Sequence, residues 1–388
     1  MIEGKNIVYF ANDYSADNKT SSHQNFKILS RYNRMLYVEA GGLRAPKSNI
    51  HDFKRILEKV SGWFKGPRRI SENVFVFTLL LVPLHRFAVI RKFNEWFISF
   101  SVRRVMKGLG MIHPIVWMTI PHMEPVVGRL GEEVVVYYCV DDYSEMPNVD
   151  KAAIKKIEGR LLRKSDVVFT TSRALCEERV LVNPNTHHSP HAVDFAHFHK
   201  ATFPETLIPE DVASLKHPVV GFFGLIEDWM ELDALEYAVQ TLPDFEFVMI
   251  GRVVVDVSRF DKYLNIRFIG KRPFGDLPGY LKHFDVCISP KKRNNYTKYV
   301  NPIKIKEYLA GGKPVVSTWT KEMEYYEGYV HLAKTREEFA DFIRKAVKED
   351  GPLERKNRED YVREDTWDRR VEEISRVVIR TIEGKEAR

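Results

Sequence analysis

The segment NPIKIKEYLAGGKPVV, residues 301–316, gathers residue types suited to holding an anion. Asn301 is a good N-cap, and Pro302 suits the first position of a helix. Ile303, Ile305 and Leu309 then fall where they can face a sheet, and Gly311 and Gly312 end the helix. The unpaired amides of a helix's first turn attract phosphate. Lys304 lies in that turn and adds a compact positive charge. Glu307 follows one turn later on the same face, where a carboxylate can accept hydrogen bonds from ribose or sugar hydroxyls. The plain alternative is an ordinary helix with a surface Lys–Glu pair.

A second constellation is Asp141-Asp142, directly after an apolar strand expected over 134–138. A carboxylate at the carboxyl end of such a strand can deprotonate a hydroxyl as general base. The plain alternative is that one or both acids cap the following turn. His191 is a lone histidine, a type more often structural than functional. His23 and Gln24, near the first strand–helix turn with Asp13, can face a ligand or simply pack. The stretch 79–107 is basic and aromatic. It holds Arg86, Arg91, Lys92, Arg103, Arg104 and Lys107 beside Phe87, Phe93, Trp96, Phe97 and Phe100. A helix of that composition can lie in a membrane interface; it can equally be a packing helix with a basic outer face.

These groups need a frame to hold them. Strand-like apolar runs at 7–11, 35–38, 74–77, 115–118, 134–138 and 167–170 alternate with helical patterns at 23–31, 51–64 and 149–165. The rhythm breaks over 201–218, which contains Pro204, Pro209 and Pro218, and reads as a linker. It resumes with strands at 219–223, 245–250, 266–268, 286–289 and 314–317. Helices are expected at 233–241, 276–283, 302–310, 337–348 and 367–383. Such alternation predicts parallel sheets covered on both faces. The fold class is therefore α/β, with two Rossmann-like domains over 1–203 and 204–365 and a C-terminal helix over 366–388. Two such domains leave a cleft, and ligands bind outside the carboxyl ends of the strands.

The chain has 388 residues, 44% of them hydrophobic and 29% charged, which excludes a disordered or fibrous class. Three scattered cysteines argue against a disulfide framework or a CxxC metal site and for a reducing compartment. No secretory signal is expected, since the first residues run straight into a strand-like stretch at 7–11. The net charge of +7 is uneven: residues 51–129 hold 13 Lys+Arg against 5 Asp+Glu. That local excess suggests an anionic partner. No nucleic-acid-binding motif accompanies it, so nucleic acid is not expected.

The helix motif at 301–316 resembles the donor-binding helix of GT-B glycosyltransferases, in the form typical of bacterial cell-surface polysaccharide enzymes of the teichuronic-acid type. The stretches VYYCVDDY (136–143), KSDVVFTTS (164–172), PHAVD (190–194), GFFGLIEDW (221–229), FIGKRPF (268–274) and LPGYL (277–281) match the same group in order. The resemblance implies a GT-B fold, a nucleotide-diphosphate sugar as donor substrate with no cofactor, and a donor site mainly in the C-terminal domain. Lys304 would contact the pyrophosphate and Glu307 the ribose or sugar, beside Asn301 and Ile303. Gly221, Gly224 and Leu225 would let the backbone approach the ligand, Arg252 would reach a phosphate, and the loop of Gly270, Lys271, Arg272, Pro273 and Phe274 would cradle the base. His191 would sit at the cleft, with Asp13, His23 and Gln24 on the acceptor side.

There are departures from the pattern. Retaining members often carry a second glutamate eight positions before the first, where this chain has Tyr299. The loop after Gly224 reads Glu227-Asp228 where Arg and Lys are usual. The pattern is nearer xanthan-type glucuronosyltransferases, which leans toward inversion and makes Asp142 the expected base with Asp141 in support. The family usually stabilises its diphosphate with helix amides and Lys, so no metal is expected.

The function expected is transfer of a sugar, from UDP by resemblance, to a glycan or lipid-linked acceptor. The place expected is the cytoplasm, peripherally on the inner face of the cell membrane through 79–107. The alternatives are a nucleotide-sugar epimerase of the same fold and a non-enzymatic nucleotide-sugar binder.

Overall fold

In the computed structural model the described residues are 1–14, 21–40, 63, 66–79, 88–146 and 149–387. Apart from Trp63, the helix expected over 51–64 lies outside them, as do Arg86, Phe87 and the side chain of Arg91. The chain divides into two compact units, one of residues 1–190 with 370–388 and one of residues 191–369.

The first unit is built on an eight-stranded sheet. Its strands are β1 (Asn6–Ala11), β2 (Arg34–Glu39), β3 (Arg68–Ser71), β4 (Val74–Thr78), β5 (Ile115–Met118), β6 (Val134–Cys139), β7 (Val167–Thr170) and β8 (Thr186–His188). They lie in the order β3-β4-β2-β1-β5-β6-β7-β8. Among the described residues only the β3–β4 pair is antiparallel. Helices α1 (Ser21–Leu29), α2 (Ala88–Gly108), α3 (Lys151–Lys164) and α4 (Arg173–Arg179) accompany it. The strands β1, β5 and β6 are buried along their whole length apart from Asn6, as a parallel sheet covered on both faces requires. Strand order reverses between β1 and β5, so the carboxyl end of β1 lies at a topological switch point, the usual place for a ligand crevice.

The second unit repeats the plan with six parallel strands: β9 (Val219–Phe223), β10 (Glu246–Ile250), β11 (Ile266–Gly270), β12 (Val286–Ser289), β13 (Val315–Thr318) and β14 (His331–Ala333). Their order is β11-β10-β9-β12-β13-β14, with the switch between β9 and β12. Alternation splits the core cleanly. Val219 and Phe223 join one apolar cluster with Val248, Ile250 and Leu309. Val220 and Phe222 join the other with Phe247, Met249 and Ile288. The helices are α5 (Phe195–His199), α6 (Leu232–Thr241), α7 (Leu277–His283), α8 (Ile303–Ala310), α9 (Arg336–Glu349) and α10 (Pro352–Val362). The chain ends in α11 (Trp367–Glu386), within which the two units divide.

The stretch 201–218 packs within the second unit. Lys282 Nζ donates to the carbonyls of Phe203, Pro204 and Thr206, and Ala201 and Val212 enter the core. Its prolines break the helix–strand rhythm without detaching it from the domain that follows. Strands β3, β8 and β14 were not expected. β3 and β8 are polar and β14 is only three residues long, so no apolar run announces them.

Candidate functional site

The candidate donor site grows from the carboxyl end of β9, at the switch point of the second sheet. Ile305, Tyr308 and Leu309 bury one face of α8 against that sheet. The Phe223 amide donates to Tyr308 Oη at 3.1 Å, and the two rings meet edge to face at 4.7 Å. These contacts pin the helix so that its first turn lies over the end of β9. There Gly224 adopts φ +153°, and a Cβ built on it would fall 2.0 Å from Lys304 Cε and 2.9 Å from Nζ. Only glycine leaves room for the lysine at this spot. Gly251, at the end of β10, has φ +144°, and a Cβ there would strike the Gly224 carbonyl at 1.7 Å. The strand ends are laced together by Gly224 N to Ile250 O at 2.8 Å and Gly251 N to Gly270 O at 2.9 Å. Gly221 is different: the Phe284 ring fills the space beside it, so its role is packing rather than ligand approach.

Helix α8 begins one residue later than expected, with Pro302 in the N-cap position and no side chain capping it. The first-turn amides of Ile303 and Lys304 therefore have no intrahelical or capping acceptor. Asn301 is not the cap. Its side chain is buried, accepting from His191 N at 3.2 Å and donating to Glu322 at 3.1 Å. Neither the Lys304 nor the Glu307 side chain makes a hydrogen bond or ion pair with a described residue. Burial pushes the Glu307 carboxyl up to about 7, with Asp194 adding to the rise and Lys304 opposing it. A carboxyl raised in this way favours folding on the acid side, and the contribution fades as pH rises from the ordinary carboxylate value of 4.5 to about 7. Glu307→Gln should abolish that fade. Its stability by denaturant unfolding should be flat between about pH 5 and about pH 8, where the parent chain loses about 2 kcal/mol.

His191 is held beside the start of α8 through its backbone. Lys306 Nζ donates to the His191 carbonyl at 2.5 Å and pairs with Asp365 at 2.7 Å. Sequence reasoning passed over Lys306. A lysine between Ile305 and Tyr308 on a buried helix face was the available signal, because such a charge must be paired. His197 was also missed: its ring stacks on Phe274 at 4.2 Å and its Nε2 lies 2.9 Å from the Phe274 carbonyl. Phe274 is half exposed. In the same loop Arg272 pairs with Asp211 at 2.8 Å and with Tyr280 Oη at 2.9 Å, so it braces the loop. Lys271 is exposed, as is Arg252, whose carbonyl accepts from Ile226 N at 3.0 Å while its guanidinium has no partner among the described residues. Leu225 follows Gly224 at the end of β9 and is partly buried.

In the first unit, Asp142 is 3% exposed and works as a structural acid. Its Oδ1 accepts from Ser144 N at 2.9 Å and Ser144 Oγ at 2.6 Å, capping the turn Tyr143–Glu145. Its Oδ2 lies 3.3 Å from Arg179, which also pairs with Glu158 at 3.0 Å. Burial acts to raise its pKa, but Ser144 and Arg179 outweigh it and hold the carboxyl below the usual range. A base needs an accessible lone pair and an affinity for protons, and Asp142 has neither. Both oxygens of Asp142, the expected base, are thus engaged by Ser144 and Arg179 in this structure. Asp141 is partly exposed. At the end of β1, His23 is buried with Nε2 3.2 Å from the Asp13 carbonyl and 3.5 Å from Tyr37 Oη; Gln24 beside it is partly exposed. Among the described residues no cluster of three or more His, Cys, Asp or Glu side chains is placed to hold a metal ion.

Residues 217–349 match the family model described as Glycosyl transferases group 1. A Bacillus subtilis protein assigned to teichuronic acid biosynthesis as a glycosyltransferase, TuaH, is 26% identical over 220 residues, covering 52% of this chain and 54% of that protein. The chain thus matches about half the length of that curated relative. The fold extends further than the sequence likeness. The Escherichia coli trehalose-6-phosphate structure bound with UDP-2-fluoro glucose superposes over 96% of this chain and 99% of its own, with TM-score 0.67 at 12% identity. The sucrose-phosphate synthase of Thermosynechococcus elongatus covers 98% and 100% with the same TM-score and identity. The Anabaena protein HepE, in complex with UDP and glucose, covers 96% and 98% with TM-score 0.65 at 13% identity. The chain has the GT-B fold, and its residues 217–349 match the group 1 glycosyl transferase model. The group 1 match falls on the second unit, the one that carries Gly224, Lys304 and Glu307. Among the described residues no helix is long and apolar enough to cross a membrane.

Proposed function

We propose that this glycosyltransferase moves a sugar from a nucleoside diphosphate sugar, a UDP-sugar, to a hydroxyl of a glycan or lipid-linked acceptor. The observation that carries this reading is the seating of Lys304 over Gly224 at the uncapped start of α8. An amide-lined, positively charged corner of this kind suits a diphosphate, both bound and departing. Glu307, one turn on, accepts the hydroxyls of ribose or sugar. The loop from Gly270 to Phe274 takes the base, with Phe274 offering a ring face that His197 supports from behind. In the reaction the acceptor oxygen bonds to the anomeric carbon as the carbon–oxygen bond to the diphosphate breaks. The acceptor's proton passes to a carboxylate, and we assign that role to Asp141, the acid of the pair with solvent access. His191, Asp13, His23 and Gln24 serve the acceptor side.

The test has two arms. A thermal-shift series over UDP-, GDP-, dTDP- and ADP-sugars should single out UDP, because a ligand bound only by the folded state raises the midpoint. The matching donor, incubated with and without a lipid and glycan extract, should release nucleoside diphosphate only with the extract. Release without acceptor, together with an altered free sugar, would point to epimerisation instead. Asp141→Asn should lower turnover by roughly 10²- to 10⁴-fold with donor affinity unchanged; turnover at the parent rate would remove the base assignment.

A further inference from the structure

Helix α2 presents a face that neither the donor groups nor the acceptor groups use. Phe93, Trp96 and Phe100 are 46%, 54% and 45% exposed. Lys92, Arg103, Arg104 and Lys107 on the same helix are exposed as well. At about 100° per residue these positions fall within one sector of roughly 120°. The opposite side is closed: Ile98, Val102, Val105 and Met106 are buried. The sector contains no acid, since Glu95 lies outside it and is partly buried. The rings pack on one another along the helix, Trp96 on Phe100 at 5.3 Å and Phe93 on Phe97 at 5.6 Å. The face is therefore graded lengthwise, with Phe93, Trp96 and Phe100 in its first half beside Lys92 and the cluster of Arg103, Arg104 and Lys107 in its second, about 10 Å further along.

Large exposed rings in a row need an explanation, because soluble surfaces seldom leave such patches uncovered. The charge identifies what covers this one. Residues 51–129 carry 13 Lys+Arg against 5 Asp+Glu, the whole excess of the chain lying in this region. Trp and Phe settle at the boundary of headgroups and acyl chains, and Lys and Arg reach the anionic headgroups. We propose that this face of α2 lies on an anionic lipid surface, the aromatic half inserted at the boundary and the cationic half on lipid phosphates.

The full chain, mixed with vesicles of phosphatidylglycerol and phosphatidylcholine, should sediment with them at low salt. On phosphatidylcholine alone, or at high salt, its partition should fall at least about tenfold, each cation being worth roughly fivefold. Arg103→Glu, Arg104→Glu and Lys107→Glu together should weaken partition by about a hundredfold or more. Trp96→Ser with Phe100→Ser should weaken it by about tenfold. Brominated acyl chains should quench tryptophan emission in the parent chain. Trp96→Phe should remove most of that quenching while still sedimenting. The response to nucleotide sugars in thermal shift should stay unchanged in every variant, which separates failure here from failure of the donor site. Failure to sediment with anionic vesicles at low salt would overturn the proposal, as would equal partition of parent and charge-reversed chains. So would a stable dimer that Trp96→Ser with Phe100→Ser dissociates, since the face would then serve a second copy.

Discussion

Lys304→Ala should lower affinity for a nucleoside diphosphate sugar by roughly ten- to a hundredfold, a loss that calorimetry on the full chain would read. The expectation rests on placement. The lysine side chain makes no hydrogen bond or ion pair with a described residue and lies over a glycine whose side chain, if it had one, would collide with it. Its ammonium is thus held ready for an anion, and charge-assisted hydrogen bonds of this kind are worth about 1.5–3 kcal/mol. Gly224→Ala should produce the same loss by a different route. The new methyl displaces Lys304 and strains a backbone at φ +153°, so affinity and stability fall together. Lys304→Ala should cost less stability than Gly224→Ala, because its electrostatic neighbour, Glu307, can respond by holding its proton more tightly. If Lys304→Ala bound donor as tightly as the parent, the phosphate role of this turn would be lost.

The second large effect lies in the other unit. Asp142→Ala should destabilise it by about 3–5 kcal/mol, because Arg179 remains buried with part of its charge balance removed and the turn at Tyr143 loses its cap. Denaturant unfolding followed by probes in each unit separates this from any change in the second. The pH dependence has a definite sign. Asp142 titrates below its unfolded value, so its contribution is present above the ordinary carboxylate range and disappears as pH falls through the lowered folded value. Asp142→Asn keeps the shape but not the charge and should remove that acid-side slope. A variant that unfolds normally yet loses turnover in step with a group titrating near neutrality would restore Asp142 as the base.

The parts of this site legible in the sequence are those fixed by local spacing. Helix α8, its glycine stop, and the lysine and glutamate one turn apart all follow from a pattern that a single helix can satisfy alone. The parallel sheets were equally plain, because strands buried on both faces must be apolar throughout. What stayed hidden depends on partners far along the chain. Asn301 reads as a cap, but its partners are His191 and Glu322, and no local pattern announces them. Asp142 reads equally well as a base or a cap. The Ser144 two residues on favours the cap, but the deciding partner is Arg179, 37 positions later. The short strands β3, β8 and β14 pair at or near sheet edges, where polar residues suffice and hydrophobic patterning falls silent.

Donor binding as proposed depends on where the diphosphate rests. A crystal structure of the chain with UDP or a UDP-sugar measures this directly. The phosphate oxygens should lie within hydrogen-bonding distance of the Ile303 and Lys304 amides and of Lys304 Nζ, above Gly224, with Glu307 at the ribose or sugar. A nucleotide bound elsewhere, with those amides and that lysine turned to other protein groups, would contradict it.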